Sequence, residues 1–216
     1  QKGYGENVPI GFLAYPISQA ADILFCKGNV VPVGEDQKPV LEQANEIVSK
    51  FNALYGPVFS PIEISLTSTP RLVGIDGVAK ASKSLGNAIY LSDELSEIEK
   101  KVMSMYTDPG HTSIDKPGKV EGNVVFAYLD IFDARKEEVA ALKTQYRAGG
   151  LGDVEVKKRL IEVLEHLIAP IRTKRKDFEA DPAQVQKILQ DGTDKARAVA
   201  EQTMAEVRHA MKIDYF

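Results

Sequence analysis

The sequence predicts an α/β unit followed by an α-helical region. Three observations carry this reading. Short strand-like runs alternate with segments of helical period in the first half. A proline- and glycine-rich stretch follows, and beyond Ser92 nearly every segment has helical spacing. The size agrees: 216 residues, 44% hydrophobic and 27% charged, suffice for one large or two small domains with a sizeable core, and argue against disorder.

Taken in order, Ile17–Lys27 spaces Ala20, Ala21, Ile23 and Leu24 as a helix does. Asn29–Val33 reads as a buried valine-rich strand, broken by Gly34. Asp36–Leu54 returns to helical period through Val40, Leu41, Ala44, Ile47, Val48 and Phe51, with Pro39 in the first turn, where its missing N–H costs little. Helix, strand, glycine turn and helix is the rhythm of an open α/β sheet, whose ligands collect at the carboxyl ends of strands. Pro57–Gly86 differs, with Pro57, Pro61, Pro70 and glycines at 74, 77 and 86. It predicts a strand near Ile62–Leu66 and then a long exposed loop, of a length that marks a functional or disordered segment.

In the helical region, Ser92 with Asp93 and Glu94 behind it is expected to cap a helix reaching about Tyr106. Asp108-Pro109-Gly110 and Lys116-Pro117-Gly118 read as turns. Helices follow near Asn123–Phe132 and Lys136–Arg147, the second stopped by Gly149-Gly150. Asp153 opens a longer helix whose core stripe is Val156, Leu160, Val163, Leu164, Leu167 and Ile171, with Pro170 expected to kink or end it. A last helix, roughly Thr193–Met211, is expected to bury Ala196, Val199, Ala200, Met204, Val207 and Met211. No internal repeat is present.

The net charge of -4 removes any global basic surface, so contact with RNA would need a local patch. Arg172-Thr173-Lys174-Arg175-Lys176 is one, ordinarily just a solvated helix face, and Lys157-Lys158-Arg159 is a weaker one. A single cysteine, Cys26, excludes an internal disulfide or a multi-cysteine zinc site and reads as an inert core thiol. His111, His166 and His209 have no metal-ligand spacing, and no metal site is expected. His166 reads as a packing or edge residue; His209 suits a helix C-terminus. No apolar run approaches the ~20 residues that span a bilayer. The basic-then-apolar start of a signal peptide is lacking, which predicts a reducing cytoplasm. The chain opens on Gln1, as a processed chain or a fragment would.

Three places could hold chemistry. Lys80-Ala81-Ser82-Lys83-Ser84-Leu85-Gly86-Asn87 sets two lysines three apart among hydroxyls in a glycine-flanked loop. Ammonium and hydroxyl donors can meet phosphate oxygens there and the charge that develops on a leaving pyrophosphate; a plain solvated basic loop is the bland alternative. Val31-Pro32-Val33-Gly34-Glu35-Asp36-Gln37 puts a glycine and polar groups where a strand ends and a helix begins. Free N–H groups serve ligand oxygens at such a point, although acidic residues also favour a first turn for its dipole alone. Asp22 is an acid within the apolar helix Ala20-Ala21-Asp22-Ile23-Leu24. It is either a ligand acceptor in an apolar pocket or simply a residue on the wet face.

Tyr15-Pro16-Ile17-Ser18-Gln19-Ala20-Ala21-Asp22-Ile23-Leu24, the Pro-Val-Gly-Glu-Asp-Gln string and the lysine–serine loop occur in this order in bacterial tryptophanyl-tRNA synthetases, which the chain resembles over essentially its whole length. The loop resembles the second class I signature (Lys-Met-Ser-Lys-Ser). The resemblance implies a partial Rossmann-like nucleotide-binding domain with an α-helical bundle domain. Residues 1–96 would be the C-terminal half of the catalytic domain with the signature loop, 97–181 the helical anticodon-binding region, and 182–216 a helix returning to the catalytic domain. It implies that Asp22 accepts the indole N–H of L-tryptophan, that Gln19, Val31 and Val33 line the side-chain pocket, and that Gln37 lies beside the amino acid. Gly34, Glu35 and Asp36 would meet ATP, Leu72 would pack near adenine, and Lys80, Ala81, Ser82, Lys83 and Ser84 would close on the triphosphate. Of these, Lys80, Ser82, Lys83 and Ser84 would carry the catalysis. ATP, Mg2+ and tRNA are the implied co-substrates, and a homodimer the implied assembly.

Three departures stand out. Ala81 replaces the usual Met of the loop, and Val40 stands where many bacterial members have His. No His-x-Gly-His-like first signature occurs, since no histidine precedes His111. The N-terminal half of the catalytic domain is therefore expected to lie outside this chain. Two rivals remain at the level of sequence: a noncatalytic RNA-binding or interaction module derived from such an enzyme, and a tyrosyl-tRNA synthetase relative, which the Tyr-Pro…Asp helix disfavours.

Overall fold

The computed structural model describes residues 7–66 and 72–215. Two compact units divide the chain: Gln1–Pro70 together with Ala183–Phe216, and Arg71–Pro182. Residues 72–96, grouped above with the sheet, thus fall in the same unit as the helices.

The first unit runs α1 (Ile10–Leu24), β1 (Val30–Val33), a 3₁₀ turn (Glu35–Gln37), α2 (Lys38–Tyr55) and β2 (Glu63–Leu66), and contains nearly all of α7 (Pro182–Met211). β1 and β2 pair in parallel, with Val30 opposite Glu63 and Val33 opposite Leu66. α2 makes the crossover that a parallel pair requires. Side-chain amides satisfy the backbone of its return. Asn45 accepts from the Ile62 N–H at 2.7 Å and donates to the Ile62 carbonyl at 2.9 Å. Asn52 does the same for Val58 and Phe59. Ala20, Ala44 and Ile62 form a small core, joined by Ile23, Leu24, Val31 and Ile47.

Several expectations change here. α1 begins at Ile10, earlier than its period suggested, and carries Pro16 inside it. β1 is not a buried strand. Val31 and Val33 are half-buried while Val30 is 51% exposed, because the pleat turns alternate side chains away from the α1/α2 layer. Cys26 is exposed rather than a core thiol, since it falls past the end of α1 beside Lys27, whose φ is 52°. α7 begins at Pro182, a residue suited to a first helical turn, rather than near Thr193. Of its expected core stripe, Ala196, Val199 and Met204 are exposed and Ala200, Val207 and Met211 only half-buried; Thr203 is the buried residue. Helical period marks an apolar face without saying what covers it. Lys27 and Glu206 form an ion pair between the end of α1 and α7.

The second unit holds α3 (Leu95–Met103), α4 (Val124–Phe132), α5 (Lys136–Ala148) and α6 (Asp153–Ala180). α6 packs against α3 and α4, and α4 against α5. Ile98, Val102, Phe126, Leu129, Tyr146 and Leu160 are at most 1% exposed at its centre. Asn123 caps α4 by accepting the Val125 N–H at 3.0 Å, and Gly149 ends α5 at φ 89°, close to the expected limits. α3 starts at Leu95, not at Ser92, because Asp93 is used elsewhere. Its carboxylate accepts the Tyr90 N–H at 2.8 Å and the Lys101 ammonium at 2.5 Å. Pro170 does not end α6, which continues to Ala180. Leu167 and Ile171 lie 41% and 40% exposed, and Ile168 is the core residue of that turn.

Buried polar groups tie this unit together. Asp133, 2% exposed, accepts from Arg159 at 2.8 Å and from the Arg135 backbone and guanidinium, joining the end of α4 to α5 and α6. Burial pushes its carboxyl up, but the hydrogen bonds from Arg159 and Arg135 outweigh that and bring it down to about 2. The Tyr146 hydroxyl donates to Asp153 at 2.7 Å, and burial first and then this acceptor raise its pKa. The basic patches are largely spent inside the chain. Arg159 pairs with Asp133 and Glu138, Arg172 with Glu165 and Glu94, Lys176 with Glu94 and Arg175 with Glu179. Lys157 is buried and donates to the Met103 carbonyl at 2.8 Å.

Candidate functional site

In the first unit the predicted residues gather at the carboxyl end of β1. Val33 leads into Gly34, and the 3₁₀ turn Glu35–Gln37 then feeds α2. Gly34 has φ -75° and ψ 160°, a conformation open to any residue, so backbone strain is not what requires glycine there. Gln37 precedes α2 without capping it through its side chain. Its amide instead accepts from Gln19 on α1 at 3.4 Å and donates to Asp36 at 3.2 Å. Three of the predicted residues, from two elements, are thereby linked. Asp22 is exposed on α1, one turn beyond Gln19, and Val31 packs into the small core.

In the second unit the lysine–serine segment is a built turn rather than a featureless exposed loop. Of the stretch expected to be loop, residues 67–71, with Pro70 and Arg71, lie outside the described residues. From Leu72 onward the backbone folds on itself. Val73 bridges Lys80 in antiparallel fashion, the Gly74 N–H donates to Ala79 at 2.8 Å, and the Ala81 N–H to Leu72 at 2.9 Å. α4 and the turn after α3 hold this hairpin: the Tyr128 hydroxyl donates to the Val73 carbonyl at 2.8 Å, and the Tyr106 N–H to the Ile75 carbonyl at 3.1 Å. Burial, with Asp76 nearby, pushes the Tyr128 hydroxyl up to about 12, so it stays a donor at neutral pH.

The loop itself rests on Asn87, which is 5% exposed. Its amide oxygen accepts the Ser82 N–H at 2.8 Å, while its nitrogen donates to Asp76 at 2.8 Å and to the Lys80 carbonyl at 3.3 Å. Asp76 in turn accepts the Val78 and Ala79 N–H groups. The hydroxyls of Ser82 and Ser84 lie 2.9 Å apart, and Lys80 and Lys83 are exposed. Two ammonium groups and two hydroxyls on a braced turn form a donor surface suited to an anion. Among the described residues, no group of three or more His, Cys, Asp or Glu could hold a metal ion.

The sequence matches the tRNA synthetases class I (W and Y) over residues 1–169. The chain belongs to that family. As a member it is 54% identical to the tryptophan–tRNA ligase of Streptococcus pyogenes serotype M3, over all of this chain and 65% of that protein. It is 52% identical to the tryptophan–tRNA ligase of Clostridium longisporum, over all of this chain and 64% of that protein. The chain thus spans about two thirds of the length of these curated relatives. Among solved structures it is similar to the tryptophanyl-tRNA synthetase of Campylobacter jejuni complexed with ADP and tryptophan. The TM-score is 0.77 and the identity 30%, with 96% of this chain and 64% of that one covered. The fold also matches that of the Mycoplasma pneumoniae tryptophanyl-tRNA synthetase, at a TM-score of 0.67 and 24% identity, covering 95% of this chain and 64% of that one. The helix-rich fold with its small parallel sheet fits the partial α/β class predicted above.

Two residues of this class I chain escaped sequence reasoning. Asn87 was visible as the last letter of the loop string, yet its role is not, because hydrogen bonding back to Ser82 and Lys80 is a property of the folded turn. Asp76 falls in the stretch expected to be loop, and its one signal is its residue type, since an Asp side chain can bond the backbone two residues on, as Asp76 does with Val78.

Proposed function

We propose that the chain is the C-terminal portion of a tryptophan–tRNA ligase, acting in the cytoplasm on L-tryptophan, ATP and tRNA. The observation that carries this is the 54% identity to the Streptococcus relative, which extends over the whole chain. The geometry supports it in two places. At the end of β1, Gln19, Gln37 and Asp36 share hydrogen bonds and present polar groups beside the exposed Asp22. There Asp22 would accept the indole N–H, with Gln19, Val31, Val33 and Gln37 around the amino acid, and Gly34, Glu35 and Asp36 would meet the nucleotide. On the braced turn, Lys80, Ser82, Lys83 and Ser84 would take the phosphates, and Leu72 would lie against the base.

The chemistry asked of these residues is positioning and charge stabilisation. The carboxylate of tryptophan attacks the α-phosphate and pyrophosphate leaves; a ribose hydroxyl at the tRNA 3′ end then attacks the acyl carbon of the adenylate, and AMP leaves. Lys80 and Lys83 offer mobile cations to the charge that accumulates on the leaving group, where such contacts act more strongly than in the ground state. Magnesium would come with the triphosphate, because Mg2+ is commonly held by nucleotide phosphates rather than by a protein cage. The helical region, residues 97–181, would face the anticodon, and the enzyme would act as a homodimer. No helix among the described residues is long and apolar enough to cross a membrane.

The test is tryptophan-dependent exchange of labelled pyrophosphate into ATP by an enzyme carrying this chain. Exchange saturating with tryptophan and indifferent to tyrosine is expected. Exchange supported by tyrosine would give the chain to its tyrosine relatives, and none with either amino acid would leave a noncatalytic module.

A further inference from the structure

We infer that Asn87, braced by Asp76, is the positioning residue that holds the Lys80–Ser84 loop in its working shape. The inference rests on reading that loop as the phosphate-handling element.

Asn87 is a buried polar side chain whose partners lie both before and inside the loop. It joins Ser82 in the centre, Lys80 at the entry and Asp76 in the preceding turn. An amide is what this place needs, since one end must accept an N–H while the other donates to a carbonyl and a carboxylate at once. Isosteric leucine would take a partner from the Ser82 N–H, the Lys80 carbonyl and the Asp76 carboxylate at once, and aspartate would set two carboxylates face to face. The neighbouring backbone is shaped around it. A Cβ at Gly74 would fall 2.2 Å from the Asn87 amide nitrogen and 2.6 Å from its carbonyl carbon, so Gly74 leaves the room the amide occupies. The Ile75 N–H also donates to the Asn87 carbonyl at 2.9 Å, fixing the backbone from which the side chain reaches. The Asp76 carboxyl is held below its usual range first by the Asn87 hydrogen bond and then by the Val78 N–H, so the brace stays ionised at neutral pH. Lys80 and Lys83 themselves project from this frame as exposed side chains. The frame sets where the two cations start from, and a displacement of about 1 Å at a reacting centre costs on the order of a hundredfold in rate.

Three changes separate this role from a loss of folding. Asn87→Ala removes the hub, and Gly74→Ala displaces the Asn87 amide without altering it. Asn87→Asp keeps the acceptor for Ser82 but opposes Asp76. Adding Asp76→Asn to that last variant exchanges amide and carboxylate and restores the bond between positions 76 and 87. In the 216-residue chain, hydrogen–deuterium exchange at the Ser82 amide and tryptic cleavage after Lys80 and Lys83 read the loop directly. Both should accelerate by about tenfold or more in the three single variants, while exchange in α4 stays unchanged. The exchanged pair should recover most of the protection. In the enzyme carrying the chain, kcat for pyrophosphate exchange should fall on the order of 10- to 100-fold with the tryptophan KM within about twofold, and the exchanged pair should regain rate. Unchanged Ser82 exchange and cleavage would overturn the inference, as would a loosened loop with an unchanged kcat. A parent enzyme without tryptophan-dependent activity would instead sink the phosphate-loop reading, and the exchange and cleavage data would still report on the brace.

Discussion

Asp22 and Lys83 are both exposed, so neither owes its place to folding, and their proposed roles are open to direct substitution. Replacing Asp22 by alanine in the enzyme carrying this chain should strand the indole N–H of bound tryptophan. An unmade hydrogen bond of this type costs on the order of 1–3 kcal/mol, more where the acceptor is charged. The tryptophan KM should rise by about 5- to 150-fold, and the ATP KM should hardly move; an unchanged tryptophan KM returns Asp22 to a wet helix face. Lys83→Ala should behave differently. In the proposed role its ammonium would act on charge that grows during the reaction, so kcat should drop well beyond any change in the ATP KM. Parallel losses in both would mean that Lys83 binds ground state and transition state alike. Removing Asn87 or crowding it through Gly74 acts on the loop instead, which is why those variants are read by amide exchange.

Helices and turns obey local signals where a side chain can satisfy a backbone end by itself. Asn123 caps α4 and Gly149 closes α5 where the sequence predicts, because each acts on backbone groups within its own turn. Ser92 fails as a cap because Asp93 bonds to Tyr90 and Lys101, the latter a full helix away. Asp133 is the clearest junction between elements. Its carboxyl lies at about 2 against the ordinary 3.8, a depression equivalent to about 2 kcal/mol. A depressed carboxylate stabilises the fold fully above the unfolded pKa. That contribution should therefore be present above about pH 4 and drain away as the pH falls through about 2. Urea unfolding between pH 2 and pH 6 should show it as a falling midpoint, and Asp133→Asn should flatten that part of the profile. At pH 7 the same variant leaves Arg159 with Glu138 alone and should cost on the order of 2 kcal/mol, the size of that depression. An unfolding midpoint close to that of the parent would show that water replaces the carboxylate at no cost.

Across the whole molecule, the chain spans about 65% of the Streptococcus relative and contains no His-x-Gly-His-like signature. The 216 residues alone should therefore give no tryptophan-dependent pyrophosphate exchange. Addition of a fragment carrying that signature should restore it, because catalysis by positioning needs every reacting group held at once. Robust exchange by the chain alone would mean that its own residues assemble the site. Much was legible from residues in order: the α/β start with a helical continuation, the strand segments of β1 and β2, the helix between them with its Val40–Leu41–Ala44–Val48 face, the four helices of the second unit, and the motif strings that lead to the family. Those properties follow from local periods, caps and short motifs, which a chain carries wherever it sits. The rest depended on partners distant in sequence. Only the folded chain decides that Val30 and much of α7 stay exposed, that Arg159 and Arg172 answer carboxylates rather than solvent, and that residues 72–94 pack with the helices. It alone turns Asn87 from the end of a motif into its support. Burial and hydrogen-bond pairing are relations between segments, and periodicity within one segment holds no record of what another will cover.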